Sequence, residues 1–239
     1  MAKHNVVPMK TIGILGGMSN VATTTYYKGI NQRVNELLGG YNIAEIIMHS
    51  VNFANIEAFV RGDEWDASAE YLVDKAKKLE RAGADFLLCV SNTMHRVAPQ
   101  IEAAVSIPFL HIAEPTAKAI KAANFQTVGL LGTMPVMKAR YMRDYYAKHG
   151  IEVLVPSQDD MTLVDTVIFD ELVKDNVDSS SKEQFVRIAK LLQSQGAQGI
   201  ILGCTEIDML LKPEDVADLP LLDTTALHVA AAATLAVQS

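Results

Sequence analysis

The second half of the 239-residue chain repeats the first, and this repeat limits the fold more than any other feature. Thr11-Ile-Gly-Ile-Leu-Gly-Gly-Met18 returns as Thr127-Val-Gly-Leu-Leu-Gly-Thr-Met134. Gly83-Ala-Asp-Phe-Leu-Leu-Cys-Val-Ser91 returns as Gly196-Ala-Gln-Gly-Ile-Ile-Leu-Gly-Cys204, and Ile107-Pro-Phe-Leu110 as Leu219-Pro-Leu-Leu222. Any one match could reflect the shared composition of buried strands. Three in the same order, at nearly constant spacing, indicate duplicated units.

Along both halves, apolar runs of strand type alternate with helical periodicity. Thr11–Leu15, Ile43–Met48 and Asp85–Cys89 read as strands. Asn20–Leu38, Asp66–Arg81, Met94–Ala103 and Pro115–Ala123 read as helices. This alternation predicts an α/β fold of two duplicated lobes, each with a parallel sheet covered on both faces. The first lobe is expected over residues 1–113 with 226–239, the second over 114–225. Ligands of open parallel sheets sit beyond the carboxyl ends of the strands. Lobes facing each other would therefore enclose an interlobe active-site cleft, with Ser91 and Cys204 as the paired positions.

Composition removes several classes of function. A net charge of −7 offers no basic face for nucleic acid. No apolar stretch approaches a membrane span, and Met1–Lys10 carries Lys3 without the apolar run of a signal peptide. Cys89 and Cys204 are too few for a disulfide framework, so a thiol is left for chemistry in a reducing compartment. The expectation is a cytoplasmic protein without nucleic-acid or membrane partners.

Cys204 closes a strand-like run and precedes Thr205-Glu206-Ile207, which reads as the opening of a short helix. The helix dipole and its unpaired N–H groups would favour a thiolate there and could also hold a carboxylate. Ser91 is the matching position, followed by Asn92-Thr93-Met94-His95. An alcohol is far less acidic than a thiol, so Ser91 could donate a hydrogen bond or relay a proton but could not serve as an equal base. Asn92 and Thr93 could bind ligand or cap the helix. His95 is equally suited to structure and catalysis, and Cys89 reads as core. The Gly13-x-x-Gly16-Gly17-Met18 turn lacks both the dinucleotide fingerprint and the P-loop ending. Its glycines read instead as room for a small substrate beside backbone N–H groups. No histidine spacing suggests a metal, and no cofactor is expected.

Gly13-Ile-Leu-Gly-Gly-Met18, Asn92-Thr93-Met94-His95 and Gly203-Cys204-Thr205-Glu206 together resemble the aspartate/glutamate racemase family, over nearly the whole chain. The resemblance implies two Rossmann-like lobes, a homodimer, and cofactor-independent racemisation of an amino acid by two facing residues. It makes Cys204 the second catalytic cysteine, with Asn92, Thr93 and Thr205 holding the α-carboxylate. The N–H groups over Cys204–Glu206 would help stabilise the carboxylate, and Met18, Asn52 and Thr133 would line the cleft. The substrate would be a small carboxylate-bearing molecule.

The chain departs from the family pattern at two places. Ser91 stands where the family has its first catalytic cysteine, which puts balanced two-way turnover in question. Asp159, Asp160 and Asp165 fall in a segment where members acting on aspartate often carry Lys, so a second carboxylate would meet repulsion. Two alternatives stay open: a cofactor-free decarboxylase or isomerase with one catalytic cysteine, and a catalytically silent small-acid-binding relative.

Overall fold

A computed structural model describes residues 7–174 and 176–238. The basic start with Lys3 lies outside the described residues. The chain forms two compact units. One takes the chain up to Val90, Pro99–Leu110 and Val229 onward; the other takes Ser91–Ala98 and His111–His228. The Ser91–Ala98 segment, which the repeat assigns to the first lobe, thus belongs with the second unit.

The first half runs β1 (Ile12–Gly16), α1 (Asn20–Leu38), β2 (Ile46–Ser50), α2 (Phe53–Arg61), α3 (Trp65–Arg81) and β3 (Phe86–Cys89). A 3-10 turn at Thr93–Val97 precedes α4 (Ala98–Ala104), β4 (Phe109–Leu110) and α5 (Ala113–Ala122). The second half runs β5 (Thr127–Gly132), α6 (Met134–Lys138), α7 (Arg140–Lys148), β6 (Glu152–Leu154) and α8 (Gln158–Asp170). It continues through α9 (Ser179–Ser194), β7 (Ile200–Gly203), α10 (Ile207–Leu210), β8 (Leu221–Asp223) and α11 (Thr224–Val237).

The two four-stranded sheets have the same order, β2-β1-β3-β4 and β6-β5-β7-β8, and every pairing is parallel. The repeat is thus a repeat of topology. Because side chains alternate along a strand, a sheet covered twice must be apolar at consecutive positions. In the second unit, Leu131, Ile200 and Leu202 join the core under α8 and α9. Val128, Leu130 and Ile201 join the opposite core with Met142 and Tyr146 of α7. In the first unit, Ile12, Ile14, Phe86 and Leu88 pack with Tyr26 and Ile30 of α1 and with Ala232 and Ala236 of α11.

Two boundaries differ from the sequence expectation. The second strand starts at Ile46 instead of Ile43, because pairing begins where Ile46 meets Ile12, and Ile43 is left exposed. The helix expected at Met94 begins instead as the tighter 3-10 turn. Among the described residues no helix is long and apolar enough to cross a membrane.

The glycines of β1 and of the turn after it make room for the protein itself, which corrects their reading as substrate space. A Cβ on Gly13 would lie 2.5 Å from Leu87 Cδ2, and one on Gly16 2.7 Å from Thr23 Cγ2. Gly17 has φ +87°, and a Cβ there would sit 2.2 Å from Val51 O, on rigid backbone. Gly17→Ala should therefore cost on the order of 3 kcal/mol, from left-handed strain plus overlap. Gly150, with φ +71° and nothing within 4 Å of its Cβ position, pays strain alone. Gly150→Ala should cost about 1 kcal/mol. Thermal melts should show a drop of about 6–12 °C for the first and about a third of that for the second. Equal drops would show that contact with Val51 does not set the requirement for glycine.

Candidate active site

Cys204 follows the last residue of β7 and is partly exposed. Its Sγ–H donates to Glu206 Oε2 at 3.1 Å. The Thr205 hydroxyl donates to the same oxygen in a very short hydrogen bond. Glu206 is buried. Burial first, and then the Glu206 charge, push the Cys204 thiol well above its ordinary range; the Glu206 and Thr205 backbone N–H groups pull downward without prevailing. The sequence expectation of a favoured thiolate is overturned here. The helix after Cys204, Ile207–Leu210, is a single turn, too short for a large dipole, and a carboxylate occupies the place next to the sulfur. Cys204 therefore rests as a thiol.

The Ser91–His95 turn lies in the same unit as Cys204. Ser91 Oγ accepts the Met94 N–H at 3.3 Å. The Thr224 hydroxyl donates to Leu202 O at 2.8 Å, so its oxygen can only accept from Asn92, 3.0 Å away. That assigns the Asn92 amide: Nδ2 faces Thr224. The buried Oδ1 has no hydrogen-bond partner among the described residues. Thr93 Oγ1 shares a hydrogen bond with Thr133 Oγ1 at 3.0 Å. Thr133 follows Gly132, which is in register with Gly203, the residue before Cys204. Asn92 and Thr93 are thereby tied to the carboxyl ends of β7 and β5, where a parallel sheet binds its ligands.

His95 is buried and bridges two backbones. Its Nε2 accepts the Ile112 N–H at 3.0 Å, which leaves the proton on Nδ1, 2.7 Å from Ser91 O. Burial holds His95 down at about 4, partly opposed by the bond to Ser91. His111 lies edge-on to it at 4.5 Å and stacks on Tyr145 at 4.2 Å. Burial holds His111 down at about 2, with His95 and His228 adding to the shift. Tyr141 OH donates to Asn92 O at 3.0 Å. Burial pushes the Tyr141 phenol upward, so it stays a donor. Sequence reasoning missed Tyr141; its only signal is Tyr141 and Tyr145 one helical turn apart on α7.

Met18 and Asn52 lie in the first unit, each two residues past its strand, β1 and β2 respectively. Met18 is buried. Asn52 is exposed, and its side chain caps α2 by accepting the Ala54 N–H at 3.2 Å. Cys89 is buried in β3. Of the three aspartates, Asp160 pairs with Arg187 at 2.5 Å, and that guanidinium holds its carboxyl below the usual range. Asp165 accepts the Met134 N–H at 2.6 Å. Only Asp159 is exposed, so the row of repelling charges is smaller than the sequence suggests.

A family model described as Asp/Glu/Hydantoin racemase matches residues 15–232. The chain is 26% identical to the broad specificity amino-acid racemase RacX of Bacillus subtilis, over 90% of this chain and 93% of that one. A crystal structure from Yersinia pestis, named for the Asp/Glu racemases, superposes with a TM-score of 0.91 at 43% identity, covering 96% of this chain and all of the other. An aspartate racemase homologue from Pyrococcus horikoshii OT3 superposes with a TM-score of 0.84 at 33% identity, with the same coverage.

The neutral His95 makes stability depend on pH. Its folded pKa, about 4, is depressed below the 6.5 of an unperturbed imidazole. As pH falls below 6.5 the unfolded chain takes up a proton that the folded one refuses, so stability is full above 6.5 and is lost down to about 4. At pH 5 the loss from this residue is about 2 kcal/mol. Urea melts at pH 7.5 and 5 should show it, and His95→Gln should flatten the difference. An unchanged slope in that variant would refute the assignment.

Proposed function

The chain belongs to the Asp/Glu/hydantoin racemase family, and on that premise we propose that it is a cofactor-independent amino-acid racemase working through Cys204 and Ser91. The observation that carries the reading is the docking of the Asn92-Thr93 pair, through Thr224 and Thr133, onto the strand ends that lead to Cys204. The buried Asn92 Oδ1 adds support, since it is an acceptor matched to an α-ammonium group. Met18, Asn52, Thr133, Thr205 and Glu206 complete the proposed substrate-binding set.

In this reading, the backbone N–H groups of Asn92 and Thr93, together with Thr205, hold the substrate α-carboxylate. Glu206 Oε2 takes the Cys204 proton along the hydrogen bond already present. The thiolate then takes the Cα proton, and the electron pair moves into the carboxylate to give an enediolate-like state, which nearby N–H donors stabilise. The Ser91 hydroxyl gives a proton to the other face. Its oxygen, which accepts the Met94 N–H, carries the resulting charge until Glu206 and Ser91 re-equilibrate with water. A hydroxyl facing a thiol makes the two directions unequal. The resting thiol also favours a second reading, in which Cys204 only protonates an enediolate left by loss of carbon dioxide.

The substrate class proposed is broad, with neutral amino acids ahead of dicarboxylates, because Gln158–Asp165 presents no cation of its own. We take the protein to be a cytoplasmic homodimer, which light scattering at micromolar concentration would check.

Cys204→Ala should lower α-proton exchange in heavy water by at least about 10³-fold while costing about 1 kcal/mol of stability or less. Retention of a substantial fraction of wild-type exchange would rule out Cys204 as the proton carrier. Release of carbon dioxide without exchange would favour the second reading. Ser91→Cys should bring the exchange rates of the two enantiomers closer together. If the wild-type rates already agree, Ser91 is not the weaker partner. A kcat/KM for aspartate equal to that for alanine would remove the proposed substrate preference.

A further inference from the structure

Two consecutive carbonyls of the Ser91–Thr93 turn are held by side chains. Ser91 O accepts from His95 Nδ1–H at 2.7 Å. Asn92 O accepts from Tyr141 OH at 3.0 Å and from the His95 N–H at 3.2 Å. In a planar trans peptide the N–H points away from the preceding C=O. Holding Ser91 O therefore aims the Asn92 N–H, and holding Asn92 O aims the Thr93 N–H. Consecutive N–H groups aimed together form an anion-binding concavity.

Both holds trace back to one helix face. Tyr141 and Tyr145 lie one turn apart on α7. Tyr141 reaches Asn92 O directly. Tyr145 stacks on His111 with its ring nearly parallel, at 9°, and His111 lies against His95. His95 is in turn anchored to the start of α5 through the Ile112 N–H. This chain of contacts lies wholly within the second unit.

We propose that Tyr141 and His95 are positioning residues: together they brace the Ser91–Thr93 turn so that the Asn92 and Thr93 N–H groups meet the substrate carboxylate, with α7 as the brace. The inference rests on the racemase reading for the identity of the anion. Neither side chain moves a proton. Tyr141 stays a phenol and His95 a neutral imidazole, each acting only through the carbonyl it holds. The bond from Ile112 requires that neutral ring, since an imidazolium has no lone pair to accept it.

The test uses the full chain and L-alanine, whose side chain adds no charge. In a Cys204→Ala background, where turnover is removed, Tyr141→Phe should weaken L-alanine binding about tenfold while melting within about 2 °C of its parent, since only one oxygen is lost. In the Cys204 protein the same change should lower kcat/KM by more than that tenfold loss, because charge on the carboxylate grows toward the transition state. His95→Asn keeps an N–H near the Nδ1 position and should retain binding within about threefold; His95→Leu should lose about tenfold. A role in folding alone would move melting temperature in both His95 variants without this rescue. Unmoved binding and turnover in both Tyr141→Phe and His95→Leu would overturn the brace, as would a parent that does not bind L-alanine. Tyr141-dependent binding with no α-proton exchange on any amino acid would support the brace and refute the racemase reading.

Discussion

The Thr224 hydroxyl donates its single proton to Leu202 O at 2.8 Å and receives Asn92 Nδ2 at 3.0 Å. Through these two bonds the last residues of β7, the start of α11 and the Ser91–His95 turn share one fixed geometry. Thr224 and Asn92 are both buried, so neither bond competes with solvent, and losing either partner would strand a buried polar group. The orientation of the Asn92 amide follows from this arrangement. So does its Oδ1, a buried acceptor with no hydrogen-bond partner among the described residues.

The same stretch of chain shows how burial can reverse a local argument. A cysteine at a strand-to-helix turn reads as a thiolate when only the neighbouring residues are considered. In the folded chain Cys204 is only partly exposed and its sulfur faces the Glu206 carboxylate, and both effects favour the thiol. For the proposed reaction this matters, because proton removal would need Glu206 to take the thiol proton first, whereas proton delivery would need no such step. The asymmetry proposed between the two directions thus has two sources, the hydroxyl at Ser91 and the protonated resting state of Cys204.

Much of the architecture is legible in the repeat. The matched segments around Thr11 and Thr127, Gly83 and Gly196, and Ile107 and Leu219 fall on β1 and β5, β3 and β7, β4 and β8, and the sheet orders agree. Parallel strands buried on both faces are apolar at every position, so they announce themselves in a single sequence. Their ends do not. Ile43 has the composition of a strand but finds no partner, because pairing with β1 begins at Ile46. Gly17, just after β1, likewise marks a close approach of backbone but not what approaches, which is Val51.

The sequence by itself determined the duplicated α/β plan, the family, and the set of residues that could carry chemistry, because apolar periodicity and short motifs are local properties of the chain. The tertiary structure alone decided how those residues behave. It paired Asp160 with Arg187 and spent Asp165 on the Met134 N–H, so charges adjacent in sequence do not act together in space. It made His95 a neutral bridge between Ser91 and Ile112, and it brought Tyr141, about fifty residues along the chain, onto Asn92 O. Protonation states and hydrogen-bond partners depend on burial and on contacts between distant segments, and neither exists until the sheets have formed and packed.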